Sequence, residues 1–160
     1  MAIATNVSIP QYAEAMANAI PGMLFGTNEH VVLTKQAKDD EIVFGAPLFA
    51  TAADAHKMTA KDSTKALPFV GIAGFTQKTA GCYEKDEPLN CVVKGYICIN
   101  INGTIDEGEE VYVKYADGTF VSATAAAAGT SGDYVAINAK SLDKVASNSD
   151  NKAVIRILLG

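Results

Sequence analysis

Residues 89–121, LNCVVKGYICININGTIDEGEEVYVKYADGTFV, limit what this chain can fold into more than any other stretch. Three runs of alternating apolar and polar residues occur there, each followed by turn chemistry. Val93, Tyr96 or Ile97, Ile99 and Ile101 mark the first run. Val111, Val113 and Tyr115 alternate with Tyr112 and Lys114 in the second, and Phe120 and Val121 open the third. A period of two with β-branched and aromatic residues is the pattern of strands whose two faces meet different surroundings. Asp117-Gly118 has the composition of a type I′ hairpin turn, which needs φ > 0 at both central residues. Asn102-Gly103 and residues 106–108 supply two further turns. The expectation is a β-meander of antiparallel strands.

The flanking segments extend the β pattern. IVFGAPLFA, from Ile42, reads as a strand interrupted at Gly45 and Pro47, as at a bulge or an edge. Residues 51–65 read as a polar loop with a weak strand at 57–59. PFVGIAGFT, from Pro68, reads as a buried strand with two glycines, and residues 79–88 as an acidic loop. Residues 124–132, rich in Ala, Gly and Ser, read as a flexible connection. Tyr134 opens a short strand, residues 139–151 form a polar stretch with room for one helical turn, and VIRILL closes the chain as a buried strand.

The first forty residues differ in character. Ser8 can cap a short helix from Pro10 to Ala19 that places Tyr12, Met16 and Ile20 on one face. Pro21-Gly22 ends it. With Met23, Leu24 and Phe25 these side chains form an apolar set too large to leave in water. A helix of barely three turns is marginal alone and must dock to persist. The expected division is an N-terminal arm with a short helix at 1–41 and a β-barrel-like domain at 42–160. Tyr12, Met16, Ile20, Met23, Leu24 and Phe25 are the candidate interface, with a neighbouring subunit or with a larger assembly. A short strand at 31–34 falls within the arm. The overall class is mainly β: a small antiparallel β-barrel or β-sandwich with a short N-terminal helix or arm.

Charge and chemistry narrow the function. A formal charge of −5 with no long basic run leaves no field to attract phosphate backbones, so nucleic acid is not an expected partner. No run approaches the length of a membrane helix, and the N-terminus lacks the basic start and apolar run of a secretory signal. Synthesis inside the cell is the expectation.

Cys82, Cys91 and Cys98 are odd in number and match no zinc or redox spacing. Cys91 and Cys98 fall on the apolar central strand as small buried hydrophobes. His30 and His56 lie in polar surroundings far from any nucleophile motif and read as solvated. Asp106, Glu107, Glu109 and Glu110 lack the spacing of a calcium loop and read as a solvated turn. Arg156, the only arginine, reads as a solvent-facing strand residue or half of an ion pair across a subunit boundary. No catalytic residue, cofactor or metal is expected.

The order of segments carries more than any one residue. Phe69-Val70-Gly71-Ile72-Ala73 precedes Val92-Val93-Lys94-Gly95-Tyr96. Ile105-Asp106-Glu107-Gly108-Glu109-Glu110-Val111-Tyr112-Val113 then leads to Asp117-Gly118-Thr119-Phe120. Over residues 42–159 this order resembles the cement, or decoration, proteins that tailed bacteriophages place on the outside of their heads. The resemblance implies a structural virion protein, made in the host cytoplasm, that binds the capsid exterior as a homo-oligomer and cements the shell. Its partners would be the major capsid protein and further copies of itself, as a homotrimer or alternatively a dimer. Two other readings share the all-β body: a tail or baseplate component, and a cytoplasmic ligand-binding barrel or enzyme. A concave pocket with converging polar groups would mark the last.

Overall fold

The computed structural model describes residues 19–26, 29–39, 41–78, 80–148 and 153–160. Tyr12, Met16 and the expected helix from Pro10 lie outside them. The described residues are mainly β, 47% strand and 4% helix, and close into a five-stranded barrel, which decides for barrel over sandwich.

The strands are β1 (Val31–Ala37), β2 (Ile42–Val43), β3 (Pro47–Ala50), β4 (Lys57–Thr59), β5 (Phe69–Ala73), β6 (Cys82–Tyr83), β7 (Pro88–Ile101), β8 (Glu110–Lys114), β9 (Phe120–Ser122), β10 (Tyr134–Ser141) and β11 (Ala153–Leu159). A helix, α1 (Ala123–Ala128), follows β9. The fourteen residues of β7 organise the rest. Its second half pairs antiparallel with β11, from Gly95↔Leu159 to Ala153↔Ile101. From β11 the pairing runs through β10, β8 and β9, and closes where Ile101 meets Phe120 in parallel. The first half of β7 pairs with β1 on one side and with β5 on the other. From β5 the order continues through β3 and β4, and closes on β1 at Gln36↔Lys57. Two rings of five strands thus share one strand.

Each ring has its own core. Ile97, Ile99, Ile101, Val111, Val113, Ile155 and Ile157 fill the first. Ala37, Ile42, Leu48, Met58, Leu89 and Cys91 fill the second, whose end is plugged by the β2–β6 ribbon. Tyr83, buried in that plug, donates from its hydroxyl to Gly74 O at 2.6 Å. The rings meet through Phe49, which packs in the first core although its strand belongs to the second ring; the Tyr115 ring lies 5.6 Å away.

Alternation located the strands but not all of their partners. β7 and β8 do not pair, so residues 89–121 are not a meander. The 8-residue excursion through Gly103 and Gly108 carries β8 away, and β7 takes the distant β11 instead. β8 and β9 do form a hairpin, with Lys114 N donating to Thr119 O at 2.9 Å. Gly118 has φ of 69° and Asp117 is not in the positive-φ region, so the turn is wider than type I′. Residues 123–128 form a helix where a flexible connection was expected. Four consecutive alanines have high helix propensity, and the Ser122 side chain caps the helix by accepting from Ala125 N. β6 lies within the expected loop, and β10 runs to Ser141 where polarity suggested a turn. Gly45, at φ of 78°, separates β2 from β3 where the interruption was read. β1, which the sequence places in the arm, is hydrogen-bonded into the body.

Candidate interaction surface

Among the described residues no cluster of His, Cys, Asp or Glu has metal-binding geometry, and no helix is long and apolar enough to cross a membrane. Two of the four acidic side chains at residues 106–110 are engaged in structure. Glu109 accepts from Asp106 N, Thr124 N and Thr124 Oγ1, and Lys144 pairs with Asp106 at 3.1 Å. Burial works to raise the Glu109 pKa, but these hydrogen bonds prevail and lower it.

The cysteines are free thiols, with Cys91 and Cys98 buried and Cys82 half-buried. Burial pushes the Cys91 thiol up to about 11 and also raises Cys98, so neither is poised as a nucleophile. His56 is exposed, as read. His30 is not: its ring lies against Gly95, and Nε2 is buried without a partner among the described residues.

A cleft of about 430 Å³ separates the rings, floored by Ile101 and Phe120 and edged by Glu41, Lys61, Asn100 and Asp117. No histidine or cysteine lines it. Its carboxylates and amides, Glu41, Asn100, Asn102 and Asp117, come from three separate segments, and Asp117 is paired with Lys114 at 3.7 Å.

The apolar surface is better defined. Past Pro21-Gly22 the chain lies beside the second half of β7 and adds to the first barrel. Gly22 N donates to Cys98 O at 2.7 Å, Cys98 N to Met23 O at 3.0 Å, and Phe25 N to Tyr96 O at 3.2 Å, with Leu24 opposite Ile97. Gly22 sits at φ of 83°, where an added β-carbon would lie 2.7 Å from Ala73 O and 2.8 Å from Gly45 N. Only glycine passes this junction between the rings.

Phe25 is the anchored member of the apolar set. Its ring meets Tyr96 edge-on at 5.4 Å, and the Arg156 guanidinium stands 5.7 Å over it. Arg156 pairs with Asp143 of the same chain: Nη2 donates to Oδ1 at 2.6 Å, Nε to both oxygens, and the Arg156 amide to Oδ2 at 2.7 Å. Arg156 therefore has an ion pair within its own subunit, and its aliphatic neighbours in β11 hid it as a plain strand residue. Desolvation opposes charge on Asp143, but the arginine outweighs it and holds the carboxyl below its usual range.

The other described members face outward. Ile20, Met23 and Leu24 are 42%, 43% and 36% exposed. Met23 and Leu24 join Val32 of β1 and Phe75 after β5 around a groove of about 190 Å³ with Gly74 at its base. Val32 and Phe75 were not among the sequence candidates. Phe75 follows a glycine at the end of a strand and Val32 opens one, and their convergence depends on β1 and β5 flanking the same half of β7. A single exposed apolar residue is unremarkable, but a contiguous set on a monomer marks an interaction surface.

Three comparisons with known proteins bear on this arrangement. The family described as "Structural cement protein (E217 gp24/Pam3 gp6)" matches residues 9–159. A chain of the solved capsid of Myoviridae Phage XM1 is similar in fold, with a TM-score of 0.68 over 89% of this chain and 90% of that one, at 14% identity. No curated protein matches.

Proposed function

This chain belongs to the phage structural cement protein family, and from that premise we propose that it binds the outer face of a capsid as a homo-oligomer and holds the shell together. Family membership makes it a structural component of the virion capsid. The outer position, the oligomer and contact with the major capsid protein are the reading argued here. One observation supports it above the others: the contiguous exposed set Ile20, Met23, Leu24, Val32 and Phe75 on a body whose strands otherwise close on themselves. Closure removes most of the free edges that would aggregate, which concentrates adhesion around this patch.

Burying such side chains is worth roughly 1.5–3 kcal/mol each. Two or three linked copies that engage the shell together gain about 10²–10⁴-fold in apparent affinity over one. Binding that favours the closed shell stabilises it by mass action. An acidic surface suits a position facing away from packaged genome. The homotrimer, with a dimer as the alternative, supplies that multiplicity.

The test is addition of purified protein to capsids lacking it. Binding should saturate at a fixed number of copies per capsid and raise the temperature at which capsids open. Met23→Asp with Phe75→Asp should weaken binding while leaving circular dichroism unchanged. Unsaturable binding, or full binding by this folded double variant, would overturn the reading.

A further inference from the structure

The second ring has a gap, and the sequence contains a segment suited to fill it. β4 covers only the end of β1, at Gln36 and Ala37. Before that point, residues 31–35 have β7 on one side and no strand among the described residues on the other. Backbone direction follows from the bonds beyond. Ala37 N donates towards β7, to Glu87 O at 2.9 Å, whereas Gln36 N donates to His56 O at 2.9 Å and Lys38 N to Met58 O at 2.8 Å. Backbone groups alternate along a strand, so Val32 and Thr34 turn their N–H and C=O groups away from β7, into the open side.

The side chains show the same gap. Leu33 stands opposite Cys91, which is fully buried in the second core, yet Leu33 is 43% exposed. Val32, on the other face, is 42% exposed at the rim of the apolar groove. An uncapped edge with apolar residues on both faces is what folded proteins cover.

Upstream of Ala19, residues 3–9 read IATNVSI. Ile3, Thr5, Val7 and Ile9 fall on one face at period two, all β-branched, and Pro10 ends the run by lacking an N–H. We propose that residues 3–9 of a neighbouring copy add as a strand to residues 31–35, completing the second ring in trans. This rests on the homo-oligomer reading above and names the contact that forms it.

Nine residues separate Ile9 from Ala19, enough to span about 30 Å when extended. The chain enters the body at Ile20 and Met23, beside the groove that Val32 borders. A strand returning to its own body would cover Leu33 without bringing a second body to Ile20, Met23 and Phe75. Exchange brings two bodies together and covers both sets. Main-chain hydrogen bonds supply the adhesion, and alternate side chains the register.

The experiment uses full-length chains with Cys82→Ser, which removes the one half-exposed thiol. One tagged chain carries Thr5→Cys or Val7→Cys, and a differently tagged chain carries Thr34→Cys. Adjacent strands bring such pairs within disulfide range. After joint refolding and mild oxidation, a disulfide joining the two tags should form, well above the yield with Thr130→Cys as acceptor. Val7→Pro, outside the body, should lower the mass in sedimentation from oligomer to single chain. Thr34→Pro should do the same with circular dichroism unchanged, because its N–H points away from β7 and meets no acceptor among the described residues.

If the parent is a monomer, the oligomer reading fails and this contact with it. If the parent is an oligomer but no mixed disulfide forms and Val7→Pro leaves its mass unchanged, only this contact is overturned. A disulfide within one chain carrying both cysteines, at monomer mass, would overturn exchange as well.

Discussion

The imidazole of His30 lies against Gly95 so closely that a β-carbon on Gly95 would overlap ring carbon Cδ2. Gly95 has φ of 128° and stands where β7 passes from one ring to the other, so it meets both a backbone demand and a steric one. Gly95→Ala should cost about 1–3 kcal/mol in urea denaturation. Adding His30→Ala should restore part of the loss, the steric share, and leave the backbone share. Full restoration, or no loss at all, would show that the backbone at Gly95 is unstrained.

Gly118 makes a similar approach across the cleft. Its φ is 69°, and a β-carbon there would overlap Ala60 O, a backbone atom that cannot swing aside. Gly118→Val should cost about 2–4 kcal/mol, more than the turn conformation alone demands. Gly108, at φ of 81° with open space around it, supplies the comparison. Gly108→Ala should cost only about 1 kcal/mol. Equal denaturation midpoints for the two variants would remove the role assigned to Ala60.

Asp62 is 3% exposed and ionised inside a loop that wraps it. Its Oδ1 accepts from Thr64 N and Thr64 Oγ1, and its Oδ2 from Ala66 N and Leu67 N, each at 2.7 Å for the last two. Burial favours the neutral acid, yet the hydrogen bonds prevail and the pKa falls below its ordinary value of 3.8. A depressed folded-state pKa contributes stability that is present above the unfolded value and lost as pH falls through the folded one. Stability should therefore decline below about pH 4. Asp62→Asn should cost about 2–4 kcal/mol at pH 7, because an amide cannot accept at both positions, and should flatten that acid decline. A variant whose acid slope matches the parent's would exclude Asp62 as the titrating group.

Thiol chemistry should follow burial. An aromatic disulfide reagent at pH 8 should label Cys82 in the native protein and reach Cys91 and Cys98 only with unfolding, since burial raises both thiols and holds Cys91 at about 11. Rapid native labelling of Cys91 would mean that the second ring opens readily.

Local pattern revealed what is local. Period-two alternation marked β7, β8 and the start of β9, an apolar run marked β11, and glycines at 45, 103 and 108 marked breaks that the backbone makes with positive φ. Pairing was hidden because it is not local: β7 finds β1 and β11 some fifty residues away, and nothing in the VIRILL pattern specifies which strand it will lie beside. α1 was missed because small residues were read as flexible, although alanine without glycine favours a helix.

The interaction surface was half legible. The apolar run at Met23, Leu24 and Phe25 was visible, while the structure separates anchored Phe25 from outward Met23 and Leu24. Val32 and Phe75 came into view only once the rings were closed. Asp143, thirteen residues from Arg156, could not be chosen from sequence among the other acids of its stretch.

The shared strand has a kinetic consequence. Neither ring can close until β7 is placed, and each then needs partners from a different direction along the chain: β1 from before it, β11 from some fifty residues after it. Such distant closures are slow and reward the chain only when nearly complete. The subunit should thus fold as one cooperative unit, with no half that survives alone. A ribosome still holding residues 153–160 holds an unfinished barrel, which cannot join a shell before those residues emerge.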